Sequence, residues 1–420
     1  MNIIVLSQWY PPEPESKIHL LARDLVARGH VVTSITGIPN YPTGEVYHGY
    51  GVRPWPQRET RDGVRVVRVP LYPDHSRSAV KRVLNYTSFA MSAAAFGPAL
   101  SGPADVMWVF HPPLTVALPA TVIATLRGIP FVYEVQDMWP ETLAATGMVR
   151  SPRLLSAVNE VANRVYRRAD RITVISPGFK RNLVGKGVPA SKIEVIPNWA
   201  DEETYRPFER DDALACECGM EGKFNVLYAG NLGAAQRLGN VLDAAARLRD
   251  LPDLQFVLVG DGVEERELRR RAAAEGLDNV RFLGRMPAHR IASLAAVSEV
   301  LLVHLKRDPL FEITIPSKTI SALACGRPVL SVTVGDAAEV IEQAGAGLTC
   351  APEQPAELSR CVRALYNMPA ATRQDLGRAA RNYFLTHFTR TELVTRYESL
   401  LTEVAAERRA TLSKHNGRSS

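Results

Sequence analysis

A chain of 420 residues is too long for one ordinary hydrophobic core and predicts two large domains. Its 46% apolar and 22% charged residues are those of a soluble globular protein, which excludes a fibrous or disordered chain. The net charge of +6 is uneven: residues 1–200 hold 22 Lys+Arg against 14 Asp+Glu (+8), and residues 201–420 hold 28 against 30 (−2).

A basic half implies an anionic partner. No zinc-finger spacing, RNP-like aromatic motif or isolated basic recognition helix accompanies it, so nucleic acid is not expected and an anionic lipid surface or a phosphorylated acceptor is. The apolar stretches around Phe89–Leu100 and Leu114–Leu126 are broken by proline or glycine and fall short of the roughly 18 residues that argue a membrane span. The chain enters a strand at once, with no basic n-region or cleavage site, which predicts a cytoplasmic protein. Five cysteines, at 216, 218, 325, 350 and 361, form no CxxC pair, and they read as reduced thiols with no zinc.

In chain order, short apolar runs alternate with helical patterns. The first half predicts strands at Asn2–Ser7, Val31–Thr36, Val64–Val69, Val106–Phe110, Phe131–Val135, Arg171–Ile175 and Ile193–Ile196, with a helix at Ile18–Arg28 closed by Gly29. The second half predicts strands at Phe224–Ala229, Gln255–Val259, Val280–Leu283, Val300–Val303 and Val329–Ser331. The fold class is therefore α/β, two Rossmann-like, doubly wound parallel-sheet domains facing across a cleft. The expected boundaries are 1–197, a polar linker at 198–222, 223–385, a helix at 386–407 that crosses back to the first domain, and a disordered tail at 408–420.

Strand ends carry the candidate chemistry, because open α/β sheets bind ligands outside the carboxyl ends of their strands. In Val226–Ala245, Gly230 and Gly233 let the backbone approach a ligand before a helix start, and Arg237 adds charge; packing alone explains the glycines equally well. Gly260 and Gly262 fill only two positions of a dinucleotide fingerprint, since residue 265 is glutamate. Pro316 suits a helix start, which would set Ser317 and Lys318 at its positive end, facing a diphosphate; Glu312 just upstream suits sugar hydroxyls better than phosphate. His111, Glu134, Asp137, Trp139 and Glu141 stand at or just beyond two consecutive strand ends of the first half and are expected to face the cleft.

The order of QWYPPE (Gln8–Glu13), EVQDMWPE (Glu134–Glu141), VIPNWAD (Val195–Asp201), LYAGNLGAAQ (Leu227–Gln236), LVGDG (Leu258–Gly262), NVRFLGRMP (Asn279–Pro287) and IPSKTISALACGRPVL (Ile315–Leu330) resembles the retaining family 4 glycosyltransferases of the GT-B fold. The resemblance is closest to the WbuB-like branch, which builds bacterial surface polysaccharides. It implies that the second domain binds a nucleotide diphosphate sugar, UDP-linked before GDP-linked, and that a hexosyl group, N-acetylated or deoxy, passes to a lipid-linked or glycan acceptor held by the first.

It further implies that Gly233, Arg237, Ser317 and Lys318 lie near the diphosphate, Arg285 and Met286 near the base, and Glu312 on the donor sugar. His111 and Asp137 would approach from the acceptor side. Retention would follow front-face attack with no enzymic nucleophile. The chain lacks a strand-flanked DxD, in agreement with a diphosphate met by protein groups and no metal or other cofactor. Two departures stand out: Ser321 occupies the place of a glutamate that commonly holds the ribose, and Pro14, Glu15, Ser16 and Lys17 replace a glycine-rich loop. A nucleotide-sugar 2-epimerase and a degenerate, non-catalytic transferase remain as alternatives. Arg77, Lys81 and Arg82, with Arg164, Arg167, Arg168 and Arg171, predict peripheral docking on an anionic membrane.

Overall fold

The computed structural model describes residues 1–14, 16–76, 78–145 and 148–416, apart from the side chains at 16, 79, 412 and 414–416. Glu15 and Arg77, both singled out above, lie outside the described residues. Parallel strands covered by helices on both faces have no solvent side, so they read as unbroken apolar runs. The chain divides into two compact units: Met1–Ile175, Lys180–Ile196 and the chain from Val394 in the first, Ser176–Phe179 and Pro197–Leu393 in the second.

The first unit holds β1 (Asn2–Leu6), β2 (Val31–Gly37), β3 (Gln57–Arg61), β4 (Val64–Val69), β5 (Val106–His111), β6 (Phe131–Val135), β7 (Arg171–Val174) and β8 (Ile193–Val195). Their order is β3-β4-β2-β1-β5-β6-β7-β8, parallel except for the antiparallel β3–β4 pair. Every residue of β5 and β6 is buried. β3, QRETR, is an exposed edge with no apolar pattern, which is why periodicity misses it. Its signal is the turn: Asp62 and Gly63 both take positive φ (49° and 78°), the two-residue hairpin loop that Asp-Gly favours.

The second unit holds β9 (Phe224–Ala229), β10 (Leu254–Val259), β11 (Val280–Gly284), β12 (Val300–His304), β13 (Val329–Val332) and β14 (Gly347–Cys350), all parallel, in the order β11-β10-β9-β12-β13-β14. The order reverses between β9 and β12, as it does between β1 and β5 in the first unit, and such a reversal opens a crevice at the strands' carboxyl ends. β14 is a short edge strand that the apolar pattern does not reveal. The segment expected to be a linker also carries structure. Asp211 caps a short helix, Asp212–Glu217, and Leu214, Ala215, Cys218 and Met220 are buried in the second unit's core. A helix of six residues is too short to show periodicity.

The last helix runs unbroken from Arg390 to Asn416, past Arg408 where polar composition suggests a disordered tail; 417–420 lie outside the described residues. In the first unit it buries Tyr397, Leu400, Leu401, Val404 and Ala405, a stripe at helical spacing. Arg28 and Arg171 pair with its Glu398 and Glu407 at 2.7 and 2.6 Å, and Arg408 donates to the Gly128 carbonyl. Among the described residues no helix is long and apolar enough to cross a membrane.

Candidate active site

In the second unit, the loops after β9 and β10 close on one another. A Cβ at Gly260 would lie 1.9 Å from the Gly230 carbonyl oxygen, and one at Gly262 would lie 2.4 Å from that of Leu232. Leu232 donates to the Asp261 carbonyl and Glu264 to that of Leu232. The space kept free by Gly260 and Gly262 is thus filled by the neighbouring loop, which gives both glycines a packing role. Gly230 differs. A Cβ there would fall 2.3 Å from the Lys318 ammonium nitrogen, so glycine makes room for a cation at the crossover of the sheet.

Lys318 is the second residue of the Ser317–Ala324 helix, whose N-cap Pro316 offers no side-chain cap. The first N–H groups of this helix therefore point outward unpaired by a side chain, beside exposed Ser317 and half-buried Lys318. The ammonium donates to the Tyr228 hydroxyl and sits 4.2 Å from that ring's centre. Burial without an anion brings its pKa down to about 8. Next to it a cavity of 240 Å³ is lined by Tyr205, Gly230, Ile291, Ser317, Lys318 and Ser321, so Ser321 faces open space.

Around this centre, Gly233 carries no positive φ and is crowded by the Asn231 amide, a flexible neighbour. Arg237 is exposed with φ +48°, just before the Gly239–Arg247 helix. Left-handed backbone at a bulky residue costs about 1 kcal/mol or more and marks functional sites more often than neutral surface. Arg285, exposed and 3.7 Å from Asp261, follows β11 with Met286, which packs on the core. Glu312 ends the Pro309–Glu312 helix. Its carboxylate makes no hydrogen bond or ion pair among the described residues, while its backbone is gripped by Gly335, where a Cβ would clash at 2.0 Å.

In the first unit, His111 ends β5 and Asp137 follows β6, on adjacent strands whose register pairs His111 with Val135. His111 is buried, edge-on to Trp139 at 5.5 Å, and among the described residues neither ring nitrogen has a hydrogen-bond partner. Burial takes its pKa down to about 3, so it is neutral at any ordinary pH; burial raises that of Asp137. Glu134 departs from the expectation of a cleft-facing side chain. It does not face a crevice but lies fully buried, accepting from Lys17, Trp108 Nε1 (3.1 Å), Thr173 (3.1 Å), Gln136 and the Tyr397 hydroxyl (2.6 Å). A strand covered on both faces has no exposed side on which to place it.

Residues 14–199 match the family of glycosyl transferase 4-like domains, and residues 219–383 match the glycosyl transferases group 1. The chain is a glycosyltransferase whose two halves match a 4-like and a group 1 domain. It is 29% identical over 312 residues to the putative colanic acid biosynthesis glycosyl transferase WcaI of Escherichia coli (strain K12), covering 72% of this chain and 75% of that protein. It is 27% identical over 263 residues to the probable glycosyltransferase WbjE of Pseudomonas aeruginosa, covering 61% of this chain and 65% of that one, just under two thirds of its length. Sucrose-phosphate synthase from Thermosynechococcus elongatus superposes with a TM-score of 0.73 at 19% identity over 97% of this chain and 99% of that chain. Anabaena HepE in complex with UDP gives 0.69 at 16% over 96% and 100%. At such identities these likenesses establish the GT-B fold and nothing finer.

The glycosyltransferase also carries polar groups that the sequence reading did not single out. At the carboxyl ends of β1 and β2, Gln8 donates to Asn85 and Asn85 to Asn40, all buried. Trp9, Tyr41, His75 and Tyr86 form a chain of ring contacts at 5.0, 5.1 and 6.1 Å, with Trp9 Nε1 and His75 Nε2 unpartnered among the described residues. Nothing in local periodicity joins residues so far apart in sequence. The available signals were two turn-rich runs just after apolar strands, QWYPPE (Gln8–Glu13), quoted above for the resemblance, and GIPNYP (Gly37–Pro42).

Proposed function

We propose that this glycosyltransferase moves a hexosyl group, with retention, from a UDP-linked donor to a lipid-linked or glycan acceptor in polysaccharide assembly, as a WbuB-like enzyme. The observation that carries the reading is the Lys318 ammonium at the β9–β12 crossover, beside the open start of the Ser317–Ala324 helix. A diphosphate there receives backbone N–H groups, the Ser317 hydroxyl and the lysine charge, with Arg237 within the same loop region. The 240 Å³ cavity beside Ser321, lined also by Tyr205 and Ile291, suits a nucleoside subsite. Ser321 then meets the ribose through a hydroxyl instead of a carboxylate.

As the donor bond breaks, negative charge grows on the departing diphosphate, and the fixed helix N–H groups and Lys318 stabilise it where it forms. The acceptor hydroxyl attacks from the face the diphosphate leaves, and a phosphate oxygen takes its proton, so no protein nucleophile is required. Glu312, with its carboxylate free, suits hydrogen bonding to sugar hydroxyls. Neutral His111 can donate from one ring nitrogen and accept at the other. The Trp9, Tyr41, His75 and Tyr86 rings offer faces and N–H tips suited to a sugar acceptor. With the leaving charge met by protein groups, activity is expected to survive a chelator. Incubation with UDP-hexoses and a lipid-linked glycan, with EDTA present, tests the whole reading. UDP release without glycan extension, epimerised free donor, or full loss restored by magnesium would each overturn a different part of it.

Docking on an anionic membrane completes the reading. Val80, Val83 and Leu84 are exposed beside Lys81 and Arg82 on the Ala79–Leu100 helix. A cavity of 540 Å³ nearby in the first unit is walled by Met91, Leu118 and Val161 and edged by Arg164 and Arg168, which suits an acyl or polyprenyl chain with an anionic head. Each basic group near the surface is worth about 1 kcal/mol. Sedimentation with anionic vesicles is expected to fall with salt and in a Lys81→Glu, Arg82→Glu variant; equal binding to neutral vesicles would refute it.

A further inference from the structure

A further cavity, of 510 Å³ and rich in arginine, lies at the opposite end of the second unit's sheet from Lys318. Glu299 and Pro328 in its wall stand immediately before β12 and β13, at the strands' amino ends, whereas Lys318 and Gly230 gather at the carboxyl ends. Four guanidinium groups, those of Arg327, Arg373, Arg378 and Arg381, line it against the single carboxylate of Glu299.

Three of the four reach carbonyls near helix ends. Arg327 donates to Ala296, Arg373 to Leu365 and Met368, and Arg381 to Ala324 at 2.7 Å and Tyr205 at 3.4 Å. Each uses one amino nitrogen of its guanidinium for this, out of five N–H donors per group. A helix end carries about half a negative charge, less than the full positive charge set against it.

The remaining charges are already matched. Arg378 pairs with Asp375, and Glu299 accepts from the Asn225 N–H at 2.6 Å with Arg210 3.6 Å away. Among the described residues, Arg327, Arg373 and Arg381 have no carboxylate within ion-pair distance. Glu299 and Glu202 act on Arg327 and Arg381 only from further off, and burial pushes both guanidinium pKa values down, the mark of half-buried cations lacking an anion.

We propose that this cavity is a binding site for a small phosphorylated anion, of sugar-phosphate or nucleotide size, separate from the donor site. Its volume falls within the range of about 300–1,000 Å³ that small-molecule sites occupy. Planar guanidinium forks match phosphate oxygens two at a time. Arg381 clasps the last residue of the same eight-residue helix that presents Lys318 in its first turn, so one short rigid element joins the two sites.

Calorimetry on the full chain at fixed ionic strength, with inorganic phosphate, pyrophosphate and a hexose 6-phosphate as probes, tests this. Saturable binding of at least one probe is expected to persist in Lys318→Ala and to weaken at least tenfold in Arg373→Gln. Because that arginine also caps a helix, Ala370→Glu provides a second arm. It leaves every capping arginine in place and sets a carboxylate in the cavity wall at the first residue of the Ala370–His387 helix, where the dipole favours it. The same tenfold loss is expected there. Unchanged affinity in Ala370→Glu, binding abolished by Lys318→Ala alone, or no binding of any probe would overturn the proposal.

Discussion

The crossover between β1 and β5 and the crossover between β9 and β12 are the same place in two copies of one winding, furnished in opposite ways. In the second domain, glycines after β9 and β10 zip two loops together and clear a space into which Lys318 projects, next to an open helix start. In the first domain the corresponding space is built from side chains. Glu13 turns inward and accepts N–H groups of Tyr10, Asn40 and Tyr41, each at 2.9 Å, and His111 stands neutral with both nitrogens free. The difference teaches that one doubly wound frame can gather backbone donors and a cation, a set suited to an anion, or rings and uncharged polar tips, a set suited to a neutral, hydroxyl-rich ligand.

The strongest way to break the comparison is to remove the carboxylate that holds the first domain's arrangement. Lys17, which stands where a glycine-rich loop was expected, is instead tied down by Glu134, and the last helix joins the same hub through Tyr397. Glu134→Ala removes the one carboxylate on which five donors converge, a largely buried ammonium among them, and is expected to cost about 3–5 kcal/mol, read by urea unfolding. A loss under about 1 kcal/mol would mean the hub is not what secures the last helix.

Next in size is His111→Ala. If the first domain's neutral histidine meets the reacting sugar, kcat should fall about 100-fold with donor KM little changed. With a pKa near 3, His111 gives no inflection between pH 5 and 8, where an ordinary histidine would titrate. An inflection near pH 6.5 that disappears in the variant would contradict the buried, neutral state.

Lys318 sharpens the contrast from the other side. Lys318→Ala should weaken UDP binding about 10- to 100-fold and leave the fold intact. The cation's pKa near 8 adds a pH test. Binding needs the protonated amine, so UDP affinity should be about tenfold weaker at pH 9 than at pH 7, and flat in the variant. The sign for stability is opposite. Since the folded pKa lies below the ordinary value of 10.5, the unfolded chain holds more protons between about pH 8 and 10.5, and this group's penalty is relieved as pH rises through that window. Affinity independent of pH would detach Lys318 from the diphosphate.

How far these sites could be read in advance follows from what a single sequence encodes. Strands buried on both faces announce themselves as apolar runs, and both sheets were legible for that reason. The helix start at Ser317 and Lys318 was legible because proline before a helix is a local signal. β3 and β14 were not, being edges whose residues are polar or half-exposed. The same glycines that suggest a phosphate loop also suggest loop packing; only three dimensions divide Gly230, which clears space for Lys318, from Gly260 and Gly262, which clear it for a neighbouring backbone. Glu134 misled because a charged residue at a strand's end reads as exposed, and its partners Lys17, Thr173 and Tyr397 are far away in sequence.

The smallest expected effect concerns Arg237, whose φ of +48° had no sequence signal at all. Glycine adopts that conformation freely, so Arg237→Gly relieves the strain while making the unfolded chain more flexible. The two nearly offset, leaving stability within about 1 kcal/mol of the parent. The exposed guanidinium is lost in either case, and UDP affinity should fall by a few-fold, more at low salt than at high. Arg237→Ala separates the contributions: it loses the charge and keeps the strain. Equal UDP affinity in the glycine and alanine variants, both below the parent, would assign Arg237's role to charge. An alanine variant that binds as tightly as the parent, with glycine alone weakened, would assign it to the shape of the loop that Gly233 and Arg237 share.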